Sequence, residues 1–191
     1  FGVNNALAVT SGTAAIKIGL KSLGVKEGDE VITQSFNFIA TIEAILDCGA
    51  KPIICNVNDT LNMDPLDLEN QISEKTKAII PVHMLGVSAE MNEILNISKK
   101  YKIPILEDNC EAIGAKYNNK YLGTIGDAGI LSFDQGKMIA TGEGGMILTN
   151  YKEIDDYCRQ YHDHGHENNP NFPRGRDTHK IYGFNYRMTE L

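Results

Sequence analysis

Two hydrophobic periods take turns along this chain. Short apolar runs of strand length occur at residues 6–10, 30–33, 52–57, 77–83, 103–108, 128–133 and 145–149. Between them lie longer segments with helical spacing. In 13–23 the apolar positions are Ala14, Ile16, Ile18, Leu20 and Leu23, with Lys17 and Lys21 four apart on the other side. In 38–48, Ile39, Ile42, Ala44 and Ile45 are expected to face inward as core. Asp64 as cap and Pro65 at the first position start a helix over 65–72. The helix over 90–101 ends in Lys99 and Lys100, which suit its dipole, and 152–161 forms a last helix. Asn118-Asn119 marks a hairpin, and the polar stretch 168–180, rich in Pro, Gly and Arg, is a loop. Strands alternating with helices predict an α/β fold, a mainly parallel central sheet with helices on both faces.

Candidate chemistry collects where strands end. Lys137 follows the apolar run 128–133 and lies among the turns of Gly136 and Gly142-Glu143-Gly144-Gly145. A lysine there is either a solvated surface charge or an amine that reaches a pocket and forms a Schiff base. Val9-Thr10-Ser11-Gly12-Thr13-Ala14-Ala15 joins a strand to a helix start, with Ser11 or Thr13 as cap. It reads either as an ordinary capped helix or as an anion site made by free N–H groups and the helix dipole. The strand 103–106 ends in Glu107-Asp108. Asp108 is either a helix cap or a carboxylate at the ligand-binding ends of the strands. An anion cradle, a carboxylate and a strand-end amine together fit pyridoxal 5′-phosphate, whose phosphate, ring nitrogen and aldehyde need those three partners.

The ordered set of motifs resembles the DegT/DnrJ/StrS family of sugar aminotransferases, which have the type I pyridoxal-phosphate fold. The matching stretches include Ser11-Gly12-Thr13-Ala14-Ala15, Gly28-Asp29-Glu30-Val31-Ile32, Pro81-Val82-His83, Glu107-Asp108, Gly123-Thr124-Ile125-Gly126-Asp127, Ser132-Phe133 to Lys137 and Gly183-Phe184-Asn185-Tyr186-Arg187-Met188. The resemblance implies that Lys137 is the Schiff-base lysine and that Asp108 pairs with the pyridine nitrogen. It also implies that Thr13, Ala14 and Ser132 contact the phosphate and that Phe38 stacks on the ring. Asn185 would reach the phosphate of a neighbouring subunit's cofactor, making a homodimer with shared active sites. Glu111 stands where many relatives carry glutamine or histidine near the ring hydroxyl, so an acid there must be protonated or find a donor. One branch of the family replaces the lysine with histidine and dehydrates sugars; Lys137 argues for transamination from an amino acid, glutamate by resemblance, to a keto sugar, either nucleotide-activated or a keto-sugar acid. The resemblance further implies an internal fragment, 1–191, of the large domain, without the preceding helix and the smaller C-terminal domain.

Composition adjusts this picture only slightly. The 191 residues are 42% hydrophobic, enough for a sizeable core. A net charge of −7 argues against a nucleic-acid surface. No apolar run is long enough to span a membrane. Cys48, Cys55, Cys110 and Cys158 lack metal-like spacing and read as reduced thiols of a cytoplasmic enzyme. His162, His164 and His166 invite a metal reading, but further ligands have no obvious source, and a polar loop is preferred. Arg174, Arg176 and Arg187 offer a fork for an anion or plain surface charge. Two other classes remain: a nicotinamide-dependent oxidoreductase, for which G-x-G-x-x-G is missing, and a non-catalytic regulator that keeps the fold.

Overall fold

The computed structural model describes residues 1–190. Strands and helices alternate as β1 (Asn5–Val9), α1 (Gly12–Ser22), β2 (Glu30–Gln34), α2 (Ile39–Asp47), β3 (Lys51–Cys55), α3 (Pro65–Gln71), β4 (Thr76–Ile80), α4 (Met91–Tyr101) and β5 (Leu106–Asp108). The hairpin β6 (Lys116–Tyr117) and β7 (Lys120–Tyr121) follows, then β8 (Ala128–Ser132), β9 (Gly145–Thr149) and α5 (Lys152–Tyr161).

Parallel pairing joins β3 to β2 and β2 to β4, and also β5 to β8. Single parallel bridges, Ile79 to Ile105 and Val82 to Asp108, stitch β4 to β5. The result is one sheet in the order β3-β2-β4-β5-β8-β9-β1. Only β9 runs against its neighbours, pairing antiparallel with both β8 and β1.

Alternation along the strands feeds two cores, as a sheet covered on both faces requires. Ala78 and Ile80 point to the side of α1, α2 and α5, where Ile16, Leu20, Ile45 and Cys158 are buried. Ile79, Ile32 and Ile105 point to the other side, against Leu68 of α3 and Met91 and Ile94 of α4. Gly19 of α1 lets that helix sit on the sheet: a Cβ there would lie 2.8 Å from Leu106 Cδ1.

Three expectations need adjusting. Ile39 is 57% exposed and Ile42 only half-buried; the inward face of α2 is Ala40, Thr41, Ala44 and Ile45. A polar residue, Thr41, occupies a core-facing position for which the apolar pattern had nominated the isoleucines. The strand expected over 77–83 ends at Ile80 because Pro81 has no N–H to continue the ladder. The strand expected from 103 starts as a ladder only at Leu106, preceded by the isolated bridge at Ile105.

Candidate active site

A cavity of about 310 Å³ opens at the carboxyl ends of β5 and β8, against the start of α1. Lys137 reaches it from the connection between β8 and β9. That loop is closed by the Phe133 N–H to Gly144 carbonyl bond (2.8 Å) and the Thr141 N–H to Phe133 carbonyl bond (3.0 Å). Asp134 turns the chain inside it: its carboxylate accepts from Gly136 N–H at 2.8 Å and its carbonyl from Lys137 N–H at 2.9 Å. The Lys137 ammonium lies 3.5 Å from Glu111 Oε1. Glu111 Oε2 also accepts from Leu85 N–H at 3.4 Å, so the acid has found two donors. Leu85 holds an uncommon left-handed conformation, φ 52°.

Asp108 ends β5 and is buried. Its Oδ2 accepts from Thr41 Oγ1 at 2.8 Å and its Oδ1 from Cys110 N–H at 3.1 Å. Burial pushes the Cys110 thiol well above the usual thiol range, and Asp108 adds to the effect, so the sulfur stays protonated at neutral pH.

The opposite wall is the start of α1. Ser11 caps the helix, its Oγ accepting from Ala14 N–H at 3.1 Å and its carbonyl from Ala15 N–H at 3.0 Å. The first two N–H groups of the helix, on Gly12 and Thr13, have no intrahelical acceptor. Gly12 permits the close approach of this turn to β8: a Cβ would meet Ser132 Cβ at 2.9 Å and Cys110 Sγ at 3.2 Å.

Thr13, Phe38, Asp108, Glu111, Ser132 and Lys137 thus share one wall system. Phe38 precedes α2 as its N-cap and keeps its ring 65% exposed beside the cavity. Two anticipated residues lie elsewhere in the single chain. Ala14 is buried, with its N–H committed to Ser11. Asn185 is exposed on the segment beside β1, where its side chain accepts from Arg187 N–H at 3.3 Å. Thr41, Cys110, Asp134 and Glu143 also line the cavity without having been singled out. Asn37 and Thr41, four apart at a helix start, were the available signal, but short polar residues there read first as caps.

The side chains set limits on the ligand. Within the cavity the chain supplies Asp108, Glu111, Asp134 and Glu143 against one amine, Lys137. The donors available to an anionic group there are helix N–H groups and the Ser132 hydroxyl rather than several cationic side chains. A phosphate monoester carrying a protonated ring nitrogen and an aldehyde fits this donor set: N–H cradle, carboxylate and amine.

The other candidates resolve differently. Arg174 and Arg187 both pair with the buried Asp163, so their fork is occupied internally. His162 Nδ1 lies 2.6 Å from the Arg159 carbonyl, His164 turns the chain at φ 56°, and the His166 ring packs 4.3 Å from that of His179. No group of three or more His, Cys, Asp or Glu among the described residues is placed to hold a metal ion.

Glu107 and His83 form a second buried pair. Ala89 N–H donates to His83 Nδ1 at 3.2 Å, so Nε2 carries the ring proton and donates to Glu107 Oε2 at 3.1 Å. Glu107 also accepts from the N–H groups of Gly123 (2.9 Å), Ile125 and Gly126 (2.6 Å each). This carboxylate ties the loop before β8 to β5 and β4, behind Asp108.

A sheet covered on both faces, with an amine and a carboxylate at its strand ends and a helix start between them, is the type I pyridoxal-phosphate transferase fold. The chain belongs to the DegT/DnrJ/EryC1/StrS aminotransferase family, whose sequence profile matches residues 1–191. It is 40% identical over 190 residues to GDP-perosamine synthase of Escherichia coli O157:H7, covering 99% of this chain and 51% of that protein. The X-ray structure of an aminotransferase from Psychrobacter cryohalolentis superposes with a TM-score of 0.91 at 34% identity, over 97% of this chain and 49% of the other. NtdA of Bacillus subtilis, solved with its bound cofactor PMP, gives 0.88 at 36% identity, over 97% and 41%. The chain therefore spans about half the length of the relatives it matches.

Proposed function

We propose that this chain is the cofactor-binding large domain of a pyridoxal-phosphate-dependent aminotransferase acting on a keto sugar. The observation that carries the reading is that Lys137 and Asp108 face one cavity together with the open start of α1 and Ser132. Similarity to a GDP-perosamine synthase, and to a UDP-N-acetyl-3-dehydro-α-D-glucosamine 3-aminotransferase of Acidithiobacillus ferrooxidans at 37% identity, favours a nucleotide-activated keto sugar over a free keto-sugar acid. Glutamate is the proposed amino donor.

When bound, pyridoxal phosphate supplies an aldehyde that condenses with amines and a protonated ring that draws electrons from the carbon being deprotonated. The residues do the rest. Gly12 and Thr13 N–H groups and Ser132 would hold the phosphate. Asp108 would partner the ring nitrogen, and Phe38 would cover a ring face. Lys137 would be the amine that holds the aldehyde and, when not so engaged, the base that takes up and returns the proton at the amino donor's Cα. Glu111, 3.5 Å away, stays as its counter-charge.

The reading includes a homodimer with shared sites. The phosphate cradle of N–H groups and Ser132 carries no cationic side chain, and Asn185 on a second copy is the further donor we assign. The chain would be completed by a smaller C-terminal domain. No described helix is long and apolar enough to cross a membrane, and all four cysteines are free thiols, the state a reducing cytoplasm maintains.

The test is to incubate the full-length protein with pyridoxal phosphate, glutamate and a panel of keto sugars, and to weigh the products. An amino sugar formed only when all three are present is the expected result. Bound cofactor with no amino sugar from any member of the panel, and no 2-oxoglutarate from glutamate, would overturn the reading.

A further inference from the structure

The buried side of Asp108 is held by a run of hydrogen bonds that reaches across three strands. Thr33 Oγ1, on β2, donates to the Ile80 carbonyl at the end of β4 (3.0 Å). With its one proton committed there, it accepts from Asn37 Nδ2 at 3.2 Å. That contact fixes the orientation of the Asn37 amide, turning Oδ1 toward Thr41. Thr41 Oγ1 lies 3.2 Å from Asn37 Oδ1 and 2.8 Å from Asp108 Oδ2. A hydroxyl has one proton for these two acceptors, and the nearer one is the charged and stronger acceptor. Thr33, Thr41 and Asp108 are buried, and Asn37 is half-buried.

We infer that Thr41 is a positioning residue for Asp108. The inference rests on the cofactor reading above and adds a residue that the motifs do not mark. Donation from Thr41 and from Cys110 N–H occupies one lone pair on each oxygen of the carboxylate. It also fixes the plane of the carboxylate, leaving its remaining lone pairs to the cavity. The relay also pins the start of α2. Phe38 caps that helix with no side-chain hydrogen bond of its own, and it stands between the two anchored residues, Asn37 and Thr41. Loss of the Thr41 hydroxyl therefore loosens the acid and the aromatic together.

The experiment measures pyridoxal phosphate affinity of the full-length protein, and the melting temperature, for wild type, Thr41→Ser, Thr41→Cys and Thr41→Val. Removing this donor is expected to weaken affinity roughly tenfold in Thr41→Val. Thr41→Ser should stay within about threefold of wild type, and Thr41→Cys, a weaker donor, should fall between. The serine and cysteine variants preserve this ordering as a test even if valine at this site folds badly. A variant that melts earlier but keeps the wild-type affinity overturns the inference, because it makes Thr41 merely structural. Equal affinities for serine and cysteine variants overturn it as well. Wild-type protein that takes up no cofactor overturns the cofactor reading itself, which separates that failure from this one.

Discussion

The Lys137 ammonium and Glu111 Oε1 stand 3.5 Å apart, each side chain about a quarter exposed. A lone ion pair at this separation that still meets solvent stabilises the fold by only ~1 kcal/mol or less. Glu111→Gln should therefore leave the denaturation midpoint almost unchanged. A loss of several kcal/mol on chemical denaturation would show that the pair is structural.

Lys137 itself is expected to be indispensable. Borohydride should fix the cofactor to wild-type protein at this residue, as a peptide map can show. Lys137→Ala should lose that link and nearly all turnover. Turnover within about tenfold of wild type would remove Lys137 from the reaction.

Asp108→Asn keeps shape and removes charge. Loss of a protonated ring should slow the reaction roughly a thousandfold, about 4 kcal/mol of transition-state stabilisation. An unchanged rate with cofactor bound would reduce Asp108 to a cap for the turn at Cys110.

Glu107 is expected to matter for stability. It accepts from His83 and from three backbone N–H groups with no exposure to water. Glu107→Ala strands these donors and should cost about 3–5 kcal/mol in urea unfolding. A cost under about 1 kcal/mol would mean that water enters the space and replaces the carboxylate.

Acid should act through Asp163. Burial alone would raise its pKa, but pairing with Arg174, and then with Arg187, outweighs it and holds the carboxyl below its ordinary value of 3.8. A lowered folded-state pKa gives stability that is fully present above the unfolded value and fades as pH falls through the folded one. Asp163→Asn should therefore lower the melting temperature at neutral pH, with the gap to wild type closing below about pH 4. A gap that is constant down to pH 2 would exclude the ion pairs as its source.

Much of this was legible in sequence because the strongest signals are local. Glycines flank Lys137, a capped turn carries Gly12 and Thr13, and the apolar run before Asp108 ends abruptly; each can be read within about ten residues. The alternation of periods gave the sheet and its covering helices, although only the structure shows β9 reversed. What stayed hidden depends on partners distant in sequence. Thr41 carries no mark in the sequence because its role is defined by Asp108, 67 residues on. Glu107 looked like half of an acidic pair until His83 and the Gly123–Gly126 turn closed around it. Ile39 misled because its apolar side chain stands on an exposed face.

The reversed strand β9 sets an order of assembly. The lysine loop joins neighbouring strands, so Lys137 can be shaped by contacts only fifteen residues apart, such as Leu131 with Met146. The cradle has no such shortcut, since β1 finds its register only when Asn5 meets Thr149. A growing polypeptide must keep its first strand waiting until nearly 150 residues have been made. Formation of the cradle thereby waits on the distant strand, whereas the lysine loop needs only its neighbours.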